Sequence, residues 1–210
     1  VLKKIIDGKT PETGNIFFTL GHDQSLELKG LKNGNTTSIP SETGSGVIIE
    51  KLEARSLNLG IDSVGPVNSN RVENLLLDLA GPELTTLNLS VANSNSIKLT
   101  NSGGNLSNLE IQGTGTLNIE SLLSTITNID ASSSMVNFNI SLPNNNLVLM
   151  LGGGNDFINF GSGQLQANLG AGDDTIIIRD SRVPTMEKYF KKVASIKKDK
   201  KFIKIYDIVK

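Results

Sequence analysis

The chain has no cysteine and no tryptophan, a single histidine, six prolines and only 4% aromatic residues among its 210. Without cysteine there is no disulfide, no thiol nucleophile and no zinc site built on thiolates. That absence does not fix the compartment. No apolar run approaches the ~18 residues that a membrane-spanning helix needs. No signal peptide is visible at Val1. The first residue is not Met, so a fragment or a processed product is expected. The one histidine, His22, lies beside Asp23 in a predicted turn and reads as a solvated side chain. Few aromatics also argue against a globular core built on large rings. Small and aliphatic side chains in stacked layers fit better.

What the chain has is glycine, 21 in all, and a nine-residue pattern that occurs twice in one frame. The first copy is Leu151-Gly152-Gly153-Gly154-Asn155-Asp156-Phe157-Ile158-Asn159. The second is Leu169-Gly170-Ala171-Gly172-Asp173-Asp174-Thr175-Ile176-Ile177. They begin two nonads apart. The pattern, G-x-G-x-D-x-apolar behind a leading Leu, is similar to the calcium-binding nonapeptide of secreted β-roll proteins. In such a roll a tight loop alternates with a short strand, and two nonads complete one coil. Equivalent residues then stack at about 4.8 Å, the spacing of paired strands. Asp156 and Asp174 form such a pair. Two carboxylates that close repel unless one is protonated or a cation lies between them. Calcium, a hard ion that takes roughly six to eight oxygen ligands including backbone carbonyls, suits the position. Gly152, Gly154, Gly170 and Gly172 are expected to adopt positive φ and turn carbonyls toward the ion. The alternative is an ordinary glycine-rich turn with surface aspartates; two copies in register favour the cation.

The frame extends backward. Position six of successive nonads reads Ile129, Phe138, Leu147, Asp156, Leu165 and Asp174, and position eight reads Ala131, Ile140, Leu149, Ile158, Ala167 and Ile176. Position eight is always apolar, as expected of a core-facing strand residue. The six nonads, Ser124 to Ile177, make three coils. Leu165 stands where an aspartate would be needed, so one ion is expected, between the Asp156 and Asp174 loops.

Upstream, pairs such as Leu57 and Leu59, Leu87 and Leu89, Ile97 and Leu99, Leu109 and Ile111, and Leu117 and Ile119 each bracket one residue. This alternation marks half-buried strands. The gaps are rich in Asn, Ser, Gly and Thr, which favour turns, and leave no room for intervening helices. The fold expected is all-β: a right-handed parallel β-helix or β-roll solenoid. Residues 1–50 are expected to form a small separate β region or cap. Residues 51–180 form the solenoid, with the nonads at 124–177. Residues 181–210 form a basic helix-plus-strand cap. In that last part Met186, Tyr189, Phe190 and Val193 recur at helical spacing after Pro184, predicting a helix over Thr185–Lys198, followed by a strand at Phe202–Tyr206. From Glu187 to the end nine lysines face three acids, about +6, which leaves about −7 elsewhere against the overall −1. The segment lacks the interleaved aromatics of a single-strand binder, so no nucleic-acid partner is expected.

The run Leu84-Thr85-Thr86-Leu87-Asn88-Leu89-Ser90, then Ile97-Lys98-Leu99-Thr100, then Ile129-Asp130-Ala131-Ser132, then the two nonads, resembles the calcium-dependent surface-layer (S-layer) proteins of Gram-negative bacteria such as Caulobacter and Campylobacter. The resemblance covers about Leu57 to Ile178. It implies an exported, extracellular structural protein on the cell surface, type I secretion, and self-association into a lattice held by calcium. It also implies attachment to lipopolysaccharide through another part of the full-length protein. The metal site expected comprises Asp156 and Asp174 with Gly152, Gly154, Gly170 and Gly172. Two other classes compete: a secreted adhesin or toxin-like protein whose roll serves secretion, and a polysaccharide lyase on a parallel β-helix. The lyase needs a basic residue beside a calcium site. The only arginines, Arg55, Arg71, Arg179 and Arg182, do not sit among clustered carboxylates within the repeats. No catalytic residue and no enzymatic activity are therefore expected.

Overall fold

A computed structural model of the chain describes residues 3–7, 16–21, 24–31, 46–51, 54–65, 74–120, 122–142, 146–178 and 204–206. Among them lie sixteen strands and no helix. These are β1 (Lys3–Asp7), β2 (Ile16–Leu20), β3 (Ser25–Lys29), β4 (Gly46–Lys51), β5 (Ser56–Asp62), β6 (Leu75–Leu79), β7 (Thr86–Ala92), β8 (Ser94–Thr100), β9 (Asn108–Ile119), β10 (Asn128–Asp130), β11 (Met135–Leu142), β12 (Leu147–Met150), β13 (Phe157–Phe160), β14 (Leu165–Asn168), β15 (Thr175–Ile178) and β16 (Lys204–Tyr206).

Every pairing is parallel. One face runs β1-β3-β5-β7-β9-β10-β12-β14. The other runs β2-β4-β6-β8-β9-β11-β13-β15-β16. The chain visits the two faces in turn, so successive coils stack as a parallel β solenoid. β9 belongs to both faces, its first half pairing β7 and its second half β8.

From β5 to β14 the coil tightens along the chain. On the first face Leu57 stands beside Leu87 and Asn58 beside Asn88, a separation of 30 residues. Leu87 then stands beside Leu109 and Ser90 beside Gln112, a separation of 22 residues. Leu109 stands beside Ile129, and in that coil Thr127 follows its partner Ser107 by 20 residues. Leu147 stands beside Leu165, and there Gln164 follows its partner Asn146 by 18 residues. The long coils carry the Pro- and Gly-containing insertions, and the shortest are the glycine nonads, whose loops have no spare residue. The nonad frame, carried backward, breaks at one point. Ile129 pairs with Leu149, not Leu147, because that coil is longer than two nonads. A slip of two leaves every side chain on the same side of the sheet, so the apolar pattern could not reveal it.

Inward residues form ladders of like side chains. Leu57, Leu87, Leu109, Ile129 and Leu149 are each 0–1% exposed. Each such burial contributes about 1.5–3 kcal/mol. The alternation is visible within single strands: in β6 Leu75, Leu77 and Leu79 are buried while Leu76 and Asp78 are half-buried. The inward rows begin in the earliest coils with Leu26, Leu28, Val47 and Ile49, all at 0–1% exposure. The small β region expected over residues 1–50 contributes strands β1–β4, which stack on the same two faces. β3 pairs with β5 and β4 with β6 in unbroken register, so no boundary in the sheets falls near residue 50.

Between the two faces the backbone turns a corner that needs left-handed φ. Ser63 and Asn93 supply it at +56° in two successive coils. Side chains hold that corner. Asn93 Nδ2 donates to Asp62 Oδ1 at 2.7 Å and Ser63 Oγ donates to the same oxygen at 2.9 Å. These two bonds, the Asn93 one foremost, hold the Asp62 carboxyl below its usual range. In the next coil Gly113 and Gly115 take over, and a Cβ on either would lie 2.1 Å from a carbonyl oxygen of the coil before.

The strand expected near the C-terminus is present as β16, paired with β15. The helix expected over Thr185–Lys198 lies outside the described residues, as do His22, Arg71, Arg179 and Arg182.

Candidate metal site

The two nonads fold as consecutive coils. β13 and β15 pair with Phe157 beside Thr175 and Ile158 beside Ile176. The residue preceding each strand, Asp156 or Asp174, therefore occupies the same point of the same rim, one coil apart. Phe138, before its own partner in β11, holds that point one coil earlier.

The carboxylates do not simply face each other. Each reaches back one coil to a backbone N–H. Phe138 N donates to Asp156 Oδ1 at 2.9 Å, and Asp156 N donates to Asp174 Oδ1 at 3.2 Å. A second ladder beside it runs the other way, with side chains reaching forward. Asn155 N donates to Asn137 Oδ1 at 2.7 Å, and Asp173 N donates to Asn155 Oδ1 at 2.9 Å. The sequence reading missed this amide ladder. Its signal was present: Asn137, Asn155 and Asp173 recur at one interval, a full coil, immediately before the position-six residues.

Asp156 is 2% exposed, and its Oδ2 is buried with no hydrogen-bond partner. Burial pushes the carboxyl up to about 6. The Phe138 N–H bond works against this rise, and the Asp174 carboxylate adds to it. The stability consequence has a definite sign. Below about pH 4 the group is protonated in folded and unfolded chains alike, and it costs nothing. Between the ordinary 3.8 and about 6 the unfolded chain gives up the proton first, so stability falls as pH rises. Above that window the loss is complete, at about 3 kcal/mol for a shift of this size. In chelator-containing buffer, wild-type melting temperature relative to Asp156→Asn is expected to decline from pH 4 to pH 7. Parallel pH profiles for the two proteins would contradict this.

The four glycines serve two purposes. Gly170 and Gly172 take positive φ, +77° and +123°. Gly152 and Gly154 do not, which corrects the expectation of left-handed backbone at all four. They are needed because coils stack so closely. A Cβ at Gly152 would lie 2.1 Å from Ser134 O, and one at Gly154 would lie 1.9 Å from Val136 O. The loop carbonyls are engaged with the next coil. Gly152 O accepts from Ala171 N at 2.7 Å, and Gly154 O sits against Gly172.

Position eight of the frame also needs correction at one point. Ala167 is exposed and Leu165 is half-buried, although their partners Leu149 and Leu147 are buried. Among the described residues β14 is the last strand of its face, and no next coil covers it.

Acidic and amide side chains also line an open groove of about 440 Å³ on the outer first face, including Asn58, Asn88, Glu110, Gln112 and Asp130. Some of its groups are paired, while Asn88 Oδ1 is buried without a hydrogen-bond partner. Asn88 Nδ2 donates to Asn58 Oδ1 at 2.8 Å. Asp130 Oδ1 accepts from Ser132 N at 3.0 Å and Ser132 Oγ at 2.7 Å, which holds its carboxyl below the usual range. The groove has no aromatic platform for a sugar ring. Among the described residues no three His, Asp or Glu side chains converge as a metal-binding group. A cation at the nonad rim would have two carboxylates, Asp156 and Asp174, and would complete its shell from backbone oxygens and water.

Searches against family models, curated proteins and solved structures return no match for this chain.

Proposed function

We propose that this chain is a calcium-stabilised structural module of a bacterial surface-layer protein. The observation that carries the reading is Asp156: a buried carboxylate with one oxygen unpartnered and a second carboxylate one coil away on the same rim. A hard cation there satisfies the orphan oxygen and removes the like-charge repulsion. Calcium supplies charge neutralisation and cross-coil bonding. Asp156 and Asp174 hold it, and the glycines let the coils approach. The parallel solenoid gives a long, stiff body with repetitive polar faces, suited to a mechanical role.

Calcium would also couple folding to place. Ligands unpaired in the calcium-poor cytosol leave the last coils loose for type I export, and the ion outside closes them. Self-association would then build the lattice on the cell surface, with attachment to lipopolysaccharide made by another part of the full-length protein. Calcium titration with thermal melting tests the ion. A rise in melting temperature with calcium, and none with equal ionic strength of sodium, is expected. Electron microscopy of the full-length protein tests the role. Calcium-dependent sheets are expected, whereas calcium-stabilised protein that stays monomeric would favour a secreted adhesin with the roll as a secretion device.

A further inference from the structure

We propose that Asn155 is a positioning residue for the metal site: its side chain holds the loop 169–174 shut over the carboxylate pair, so that a cation enters and leaves only when that loop lifts. The inference rests on the cation reading above and concerns the route, not the ligands. The oxygen best suited to an ion is also the least reachable. Asp156 is 2% exposed, and its unpartnered Oδ2 is buried. One coil earlier the same rim point is filled by Phe138, also 2% exposed. One coil later it is filled by Asp174, half-buried. The stacked loops leave no channel between them. A Cβ on Gly170 would lie 1.8 Å from Gly152 O, and one on Gly172 would lie 1.9 Å from Gly154 O. A gap too narrow for one added carbon does not pass a hydrated ion.

Backbone bonds and side-chain clasps close this seam. Ala171 N donates to Gly152 O at 2.7 Å, and Thr175 N donates to Asp156 O at 2.7 Å. Asp156 N donates to Asp174 Oδ1 at 3.2 Å, and Asp173 N donates to Asn155 Oδ1 at 2.9 Å. The two clasps differ in what else they must do. The Asp174 carboxylate also serves the ion, so its hold on the Asp156 amide competes with coordination. The Asn155 oxygen is neutral, accepts the shorter bond and is not among the expected ligands. It also lies over the turn of the loop, 3.0 Å from where a Cβ on Gly172 would sit. Asn155 is itself held from behind, because its N–H donates to Asn137 Oδ1 at 2.7 Å. Ala171, Gly172 and Asp173 are exposed. The loop can therefore lift locally while Ile158 and Ile176, at 0% and 6% exposure, stay packed.

Calcium release is measured by stopped flow, mixing the calcium-loaded full chain with excess chelator. Loop opening is measured by hydrogen exchange of the Ala171, Asp173 and Thr175 amides in the opening-limited regime. In the wild type, release is expected to be no faster than the opening of these amides. Asn155→Ala removes the clasp and is expected to speed release and opening together, roughly five- to tenfold, the effect of one lost hydrogen bond. Asn155→Asp keeps an oxygen acceptor and is expected to release no faster than wild type. Asn137→Ala, the same change one coil earlier, is expected to leave release unchanged. Circular dichroism checks each variant's fold. Wild-type release that outruns amide opening would overturn the proposal. So would unchanged release in Asn155→Ala, or equal acceleration by Asn137→Ala. Equilibrium dialysis separates this failure from that of the cation reading. A wild-type chain that takes up no calcium ends both, whereas one that binds calcium and releases it independently of the loop ends only this one.

Discussion

Gly170→Ala is expected to unfold the last nonad coil and to lower global stability by at least about 3 kcal/mol. Two penalties coincide at this residue. Its φ of +77° is disfavoured for any side chain. A Cβ would also lie 1.8 Å from Gly152 O and 2.6 Å from Leu151 O, well inside van der Waals contact, with backbone rather than a flexible side chain in the way. Relief would require separating the coils, which breaks the 2.7 Å bond from Ala171 N to Gly152 O. Gly104→Ala provides the comparison. Its φ is +78°, but nothing lies within 4 Å of the added carbon. It therefore reports left-handed strain alone, about 1–2 kcal/mol. Urea unfolding of both variants separates the terms, and equal losses would show that close stacking of the loops contributes nothing.

Asp156→Ala combined with Asp174→Ala is expected to erase calcium-dependent stabilisation while leaving the upstream solenoid folded. At calcium one hundred times the dissociation constant, the lost stabilisation is about 2.7 kcal/mol. For a chain of this size that is about 5–10 °C in melting temperature. Without calcium the double variant is expected to lie close to wild type near neutral pH. Removing the Asp156 carboxylate relieves a charge that burial disfavours, but it leaves the Phe138 N–H without its acceptor. The upstream coils survive because their inward ladders, such as Leu57-Leu87-Leu109, belong to earlier coils than the nonad rim. A calcium-dependent rise in melting temperature that persists in the double variant would place the ion elsewhere.

Much of the fold was legible because a solenoid repeats one local rule. Alternation around Asn58, Asn88 and Asn139 announced strands that lie where expected, and their short spacing excluded helices between them. What sequence could not give was coil length upstream. The nonad frame failed between Ile129 and Leu149 because a slip of two preserves the inside–outside pattern. Residues 1–50 read as a region of their own because long stretches of sequence without apolar alternation, such as 32–45, lie between the strand-like runs. Asp156 and Asp174 could be placed on one rim from their spacing. Their direction could not, because a carboxylate reaching back to Phe138 N and one facing its neighbour share the same sequence. The glycines showed the same limit. Spacing marked all four, but only the stacked backbone shows that a neighbouring carbonyl excludes a Cβ at each of them and that Gly170 and Gly172 need positive φ as well.

The most direct test is amide hydrogen exchange, residue by residue, with and without calcium at neutral pH. If the ion clamps the nonad rim, calcium slows exchange strongly at Asp156, Ala171 and Thr175, and leaves the amides of β5 to β8 unchanged. Slowing spread evenly along the chain, or none at the rim, would contradict a cation bridging these two coils.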